Sequence, residues 1–264
     1  AKKAIEDLMQ ESVIAIDTEA TDLAPYSSKV LLVQVAKPDK AYVFDAGKVS
    51  PKILKELLED PKRLKLLQNA KFDYQMLKVG LGITLTNVYD TMLAERIITC
   101  GLERQNSLEA ITRKHLDLKL DKEVRKTFEG LINQVSESQI KYAALDVLIL
   151  FPIFESQWKV IQEKELTKVA KLEFACVRVV AEMELKGIAI DKEKWTKVTR
   201  NLEKLRDETA IKIQEAIRPL YKVAQMDLFG GMANAINLNS QQQLMELFND
   251  KLGIDIPSTG DAVL

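Results

Sequence analysis

The sequence predicts an α/β domain over residues 1–162, followed by an all-helical region over residues 163–264. Two features carry that prediction. In the first part, short runs rich in Val, Ile and Leu are punctuated by turn residues and then alternate with amphipathic stretches, as in a sheet with crossover helices. In the second part, apolar residues recur only at helical spacing and no strand pattern appears.

Each element has its own signal. Ser12 to Asp17 reads as a strand, and TDLAPYSSK, with its Pro, Ser and Asp, as a loop. Val30 to Ala36 and Ala41 to Asp45 are two more strands around KPDK, which suggests an antiparallel meander. SPKILKELLED is a helix with Ser50 as N-cap and Pro51 at its first position. LKLLQNA is a fourth strand feeding a helix, FDYQMLKVG, with Gly80 as its stop. That step argues for a parallel addition to the sheet. YDTMLAERIITC and NSLEAITRKHL are amphipathic helices. The next helix opens on a capping box, Ser136 with Gln139, and Pro152 is expected to break or kink it. The helical region holds a long helix closed by Gly187, a charged helix after Asp191, and a third capped by Asn239 or Ser240.

Composition narrows the chemistry. The net charge is −1, so a polyanionic partner would have to meet a local basic patch or bound cations. The two cysteines, Cys100 and Cys176, are isolated, which argues against a disulfide framework or zinc site and for a reducing compartment. No apolar run is long enough for a membrane helix, and the amino terminus lacks a signal-peptide pattern. An intracellular location is expected: bacterial or viral cytoplasm, or an organelle, and not secreted. The single histidine, His115, excludes chemistry built on paired histidines; its plainest reading is a cation at a helix C-terminus. The chain lacks an initiator Met, which suggests a fragment or a processed chain.

Carboxylates carry the functional signal. With 39 acidic residues, D-x-E recurs by chance, and it occurs at Asp17, Asp121 and Asp191. Context separates the copies. Asp17 and Glu19 end a strand, where residues two apart share a face, so they present two carboxylates side by side. Asp191 precedes a long helix and reads as its N-cap, with Glu193 complementing the dipole. Asp121 and Glu123 sit in a polar connector and read as solvated charges. Paired like charges ask for a divalent cation and further ligands. Asp73, at a strand–helix junction, and Asp146, inside an apolar helix, are candidates; a helix cap and a polar-edge residue are their alternative readings. Tyr142, four residues before Asp146, lies on the same helical face.

Together, DTE on a strand, QNAKFD at the next β–α junction and YAALD on a later helix resemble the three motifs of the DnaQ-like 3′→5′ exonucleases. Tyr142 is characteristic of the DEDDy subclass. The resemblance spans roughly residues 10–160 and includes YDTMLAERI and SLEAITRKHL. It implies a ribonuclease H-like mixed sheet flanked by helices. It also implies two divalent cations, Mg²⁺ or Mn²⁺, held by Asp17, Glu19, Asp73 and Asp146, with Tyr142 orienting the attacking water. Leu23 would wedge against the terminal base and Asn69 would hold the 3′ end, with ordinary core as the rival reading for Leu23. Lys71, Tyr74 and Arg104 would touch phosphates, with solvated surface as their rival. The helical region is similar to the partial thumb of family A DNA polymerases, in LTKVAKLEFACVRVVAEMELKGIAIDKEKW and in INLNSQQQLMELFNDKLGI with the later ST and VL. Palm and fingers lie outside this sequence, so a piece of a longer enzyme is expected.

The resemblance implies a metal-dependent exonuclease that removes nucleotides from single-stranded or frayed DNA 3′ ends and proofreads for a family A polymerase. The alternative is a stand-alone ribonuclease D-like or Werner-type exonuclease acting on RNA or DNA. A silent DNA-binding module is disfavoured because all four carboxylates and Tyr142 are present.

Overall fold

Alternation along Val13–Ala20 (β1) sets the architecture. Ile14 and Ile16 enter a core on one face of the sheet, and Ala15 enters a second core on the other. A strand buried on both faces needs helices on both sides. In a computed structural model of the chain, residues 1–119, 136–221 and 235–260 are described. The chain forms two compact units, Ala1–Gly187 and Ile188–Leu264.

The first unit is a ribonuclease H-like five-stranded sheet flanked by helices. Besides β1 it contains Val30–Lys37 (β2), Lys40–Asp45 (β3), Leu64–Leu67 (β4) and Val88–Asp90 (β5), in the order β3-β2-β1-β4-β5. β1, β2 and β3 form the antiparallel meander, while β4 and β5 add parallel to β1. The carboxyl ends of β1, β4 and β5 therefore point the same way. One face is covered by Lys2–Leu8 (α1), Pro51–Leu58 (α2) and Ala70–Leu81 (α3), through Leu8, Leu54, Tyr74 and Leu77. The other is covered by Thr91–Ile98 (α4), Glu137–Leu148 (α6) and Leu150–Glu163 (α7), through Ala94, Val147, Leu150 and Ile161. Leu108–Leu116 (α5) packs on α7 through Ile111 and Ile153.

Several boundaries differ from expectation. Helix α3 runs past Gly80 and stops at Gly82, whose φ of +67° is the left-handed conformation of a C-cap. Gly80 instead permits a close approach: a Cβ there would stand 2.8 Å from Val30 Cγ2. Tyr89 and Asp90 belong to a short strand, and the helix begins only at Thr91. The amino terminus forms α1, which sequence patterning does not assign. Helices α6 and α7 meet at Ile149, three residues before Pro152, and the Ser136–Gln139 capping box is formed.

Thr167–Lys186 (α8) buries Ala170, Val177 and Ala181 against the sheet unit, so that unit extends beyond residue 162 to Gly187. The second unit contains Lys192–Ile217 (α9) and Gln241–Glu246 (α10) around a small core of Ile217, Ile236 and Leu247. Asp191 caps α9 by accepting from Lys194 N at 3.1 Å, and Ser240 caps α10. Asp121 and Glu123 lie outside the described residues. Among the described residues, no helix is long and apolar enough to cross a membrane.

Candidate active site

The cleft of about 880 Å³ at the carboxyl ends of the parallel strands gathers residues far apart in sequence. Asp17 and Glu19 reach it from β1, Asp73 from α3, and Tyr142 and Asp146 from α6. Leu23, Asn69 and Arg104 also line it.

Local structure explains each placement. Strand pleating puts Asp17 on the same face as Ala15, beneath α6. The intervening Thr18 faces the opposite side, where its hydroxyl donates to Asp73 Oδ1 at 2.7 Å. Asp73 is 1% exposed, and burial pushes its carboxyl up to about 7. The Thr18 hydrogen bond opposes that rise and the neighbouring Asp90 charge adds to it. Asp146 is buried on the sheet side of α6, one turn beyond half-buried Tyr142. Leu23 is 76% exposed at the cleft, which removes the ordinary-core reading. Asn69 precedes α3 with φ +61°, a left-handed conformation tolerated by Asn.

Two predicted contacts fall elsewhere. Tyr74 is fully buried outside the cleft, and its hydroxyl donates to Glu182 at 2.5 Å; burial, with help from Glu182, pushes its phenol up to about 12. Lys71 pairs with Glu184 at 2.6 Å. Each residue turns an α-helix by about 100°, so neighbours of Asp73 point toward α8 instead. Neither residue lines the cleft.

Other residues of the site escape sequence reasoning. Asp90 caps α4 by accepting from Met92 N and Leu93 N, and also accepts from Asn69 N at 3.0 Å and Ala70 N at 2.8 Å. One buried carboxylate thus joins the starts of two helices that border the cleft. An Asp before an amphipathic stretch is the available signal. Arg96 and Asn106 also line the cleft. Their neighbourhood is tied down by buried Glu95, which bonds His115 Nε2 at 2.7 Å and accepts from Gln157 Nε2 at 2.9 Å. Lys114 Nζ lies 2.9 Å from the other Glu95 oxygen, off the line of a hydrogen bond, and 2.7 Å from Glu103. Burial pushes the Glu95 carboxyl up, but His115, Lys114 and Gln157 together outweigh it and hold it at about 2. His115 does end a helix, as expected, but its role is this buried pairing, with Nδ1 against Ser156 Oγ at 2.9 Å.

Among the described residues, no three His, Cys, Asp or Glu side chains form a ready-made cage for an ion. The donor set nonetheless fits a hard divalent cation, since four carboxylates from three elements line one cleft.

Known proteins resemble the chain to different extents. A family model described as 3′-5′ exonuclease matches residues 1–162. DNA polymerase I of Aquifex aeolicus is 29% identical over 277 aligned residues, covering 98% of this chain but 43% of that protein. The chain thus spans less than half the length of that relative. Among solved structures, Brucella melitensis NrnC bound to pGG is 27% identical with a TM-score of 0.63, covering 69% of this chain and 88% of NrnC. NrnC has also been solved with bound Mg²⁺. Escherichia coli RNase D, an exoribonuclease involved in structured RNA processing, shares the fold at 21% identity and a TM-score of 0.64, over 75% of this chain and 52% of its own. With the match to the exonuclease model running through every element that builds the cleft, the chain belongs to the 3′-5′ exonuclease family.

Proposed function

We propose that the chain removes nucleotides from DNA 3′ ends in a metal-dependent reaction, as the proofreading part of a larger DNA polymerase I-like enzyme. The observation that carries this reading is the meeting of Asp17, Glu19, Asp73, Asp146 and Tyr142 in one cleft. Asp17, Glu19, Asp73 and Asp146 would hold two divalent cations, Mg²⁺ or Mn²⁺, by side-chain rotation on backbones already in place. Bound there, the cations would promote attack by water and neutralise charge on the leaving oxygen. Tyr142 would orient the attacking water through its hydroxyl. Thr18, which also lines the cleft, fixes one oxygen of Asp73 by its hydrogen bond. Arg96 and Arg104, both exposed, would meet backbone phosphates. Exposed Leu23 offers an apolar surface to the terminal base, and Asn69 offers an amide to the 3′-terminal sugar. The extension of the polymerase I similarity across 98% of the chain supports a partial thumb in residues 163–264, whose basic side chains would grip duplex backbone.

The test is digestion of a 3′-labelled oligonucleotide with Mg²⁺. Wild type should shorten single-stranded DNA stepwise, and Asp17→Ala with Glu19→Ala should lose at least about a hundredfold in rate without unfolding. Undiminished digestion by the double variant would refute the site. The likeness to NrnC and RNase D supports a second reading, an exonuclease acting on RNA. A clear preference for RNA over DNA of equal sequence would select it.

A further inference from the structure

Gln34 stands out among the buried polar groups. It lies in β2 with no exposure, and neither its Oε1 nor its Nε2 has a hydrogen-bond partner among the described residues. A buried amide left unpaired costs about 1–3 kcal/mol per group, so such residues are uncommon unless another state of the protein uses them.

The sheet register shows what surrounds it. Gln34 is directly opposite Asp17 in the β1–β2 pair. The next pair, Ile16 with Val35, enters the opposite core, whereas the pair after it, Ala15 with Ala36, enters the core beneath α6 and α7. Pleating therefore sends Gln34 and Asp17 to the α6 face, with their Cβ atoms about 4.5–5.5 Å apart. Helix α6, which carries Tyr142 and Asp146, packs across both strands. The orphan amide is enclosed between one metal-ligand candidate and the helix bearing another.

We propose that Gln34 is a positioning residue of the active site, whose Nε2 donates to the Asp17 carboxylate and holds it turned toward a bound cation. This inference rests on the metal-dependent reading above. A ligating carboxylate has a second oxygen or lone pair free to accept, and such outer partners orient it and raise its affinity for the ion. The amide is neutral, so it supports the carboxylate without competing with the cation for it. An Arg or Lys at position 34 would do the opposite, by occupying the carboxylate with its own charge.

The experiment uses the full chain as wild type, Gln34→Leu and Gln34→Met, with Mn²⁺ as the probe. Mn²⁺ affinity is read by electron paramagnetic resonance titration, melting is followed without metal, and kcat and KM are measured on a single-stranded oligonucleotide. Both variants replace an unpaired amide by an apolar group of similar size, so their metal-free melting temperatures should equal or exceed that of wild type. Their Mn²⁺ affinity should fall about tenfold or more. The loss should appear in kcat, with KM for the oligonucleotide unchanged. Mn²⁺ affinity within twofold of wild type in both variants would overturn the inference while leaving the metal reading intact. So would metal-free unfolding of both, which would make Gln34 an ordinary structural residue. Absence of Mn²⁺ binding by wild type would instead sink the metal reading, and this inference with it.

Discussion

Replacing Glu95 by Gln tests whether the buried ion pairs behind the cleft hold the sheet unit together. The Glu95 side chain is 1% exposed and faces His115, Lys114 and Gln157. A carboxyl held at about 2 instead of its ordinary 4.5 corresponds to roughly 3 kcal/mol of stability at neutral pH, at about 1.4 kcal/mol per factor of ten. The sign follows from proton uptake. Above pH 4.5 the carboxylate is ionised in both states, and the contribution is complete. Between pH 4.5 and 2 the unfolded chain takes up a proton that the folded site refuses, so the contribution drains away. Glu95→Gln should therefore lower the melting temperature by about 6–12 °C at pH 7, at roughly 2–4 °C per kcal/mol for a unit of this size. That gap should shrink to less than half by pH 3. Trp158 fluorescence reports the sheet unit once the exposed Trp195 is replaced by Phe in both proteins. Equal gaps at pH 7 and pH 3 would refute the argument, because they would show that packing and not charge was lost.

Asp90→Ala strands four backbone N–H groups at the starts of α3 and α4. It should destabilise the unit by about 3 kcal/mol in urea titration, more than a single cap. Lys65 is fully buried, and burial, partly opposed by Asp60, lowers its amine to about 8. The unfolded chain keeps that proton to higher pH, so wild-type stability should rise between pH 8 and 10, and Lys65→Met should flatten the rise. Gly80→Ala should destabilise by about 1–3 kcal/mol despite the better helix former, because its Cβ meets Val30. Val30→Ala should recover most of that loss, as read by thermal melts of the double variant.

Much of the site is legible in the sequence because its chemistry is local. A strand end presents Asp17 and Glu19 together by pleating alone, and a helix presents Tyr142 and Asp146 together by its turn. The same local rules separate IAIDTE from IAIDKE, and Asp191 is indeed a cap. Local rules fail where a residue's direction depends on what lies across from it. Tyr74 follows Asp73 immediately, yet it points to Glu182 on α8, over a hundred residues away. Gly80 looks like a helix stop because Gly often is one; its actual constraint is Val30 on a neighbouring element. The three-residue β5 is too short to carry an alternation.

The sequence by itself pointed to most of the helices and strands, to the caps at Ser136 and Asp191, and to the four carboxylates and the tyrosine as candidates, since these depend on spacing along the chain. Only the tertiary structure decided that β5 forms and joins β4 on the parallel side of the sheet, and that β1, α3 and α6 share one cleft. It also decided that Asp90, Glu95 and Gln34 stand behind the cleft, because burial and partnership are properties of residues brought together from distant parts of the chain.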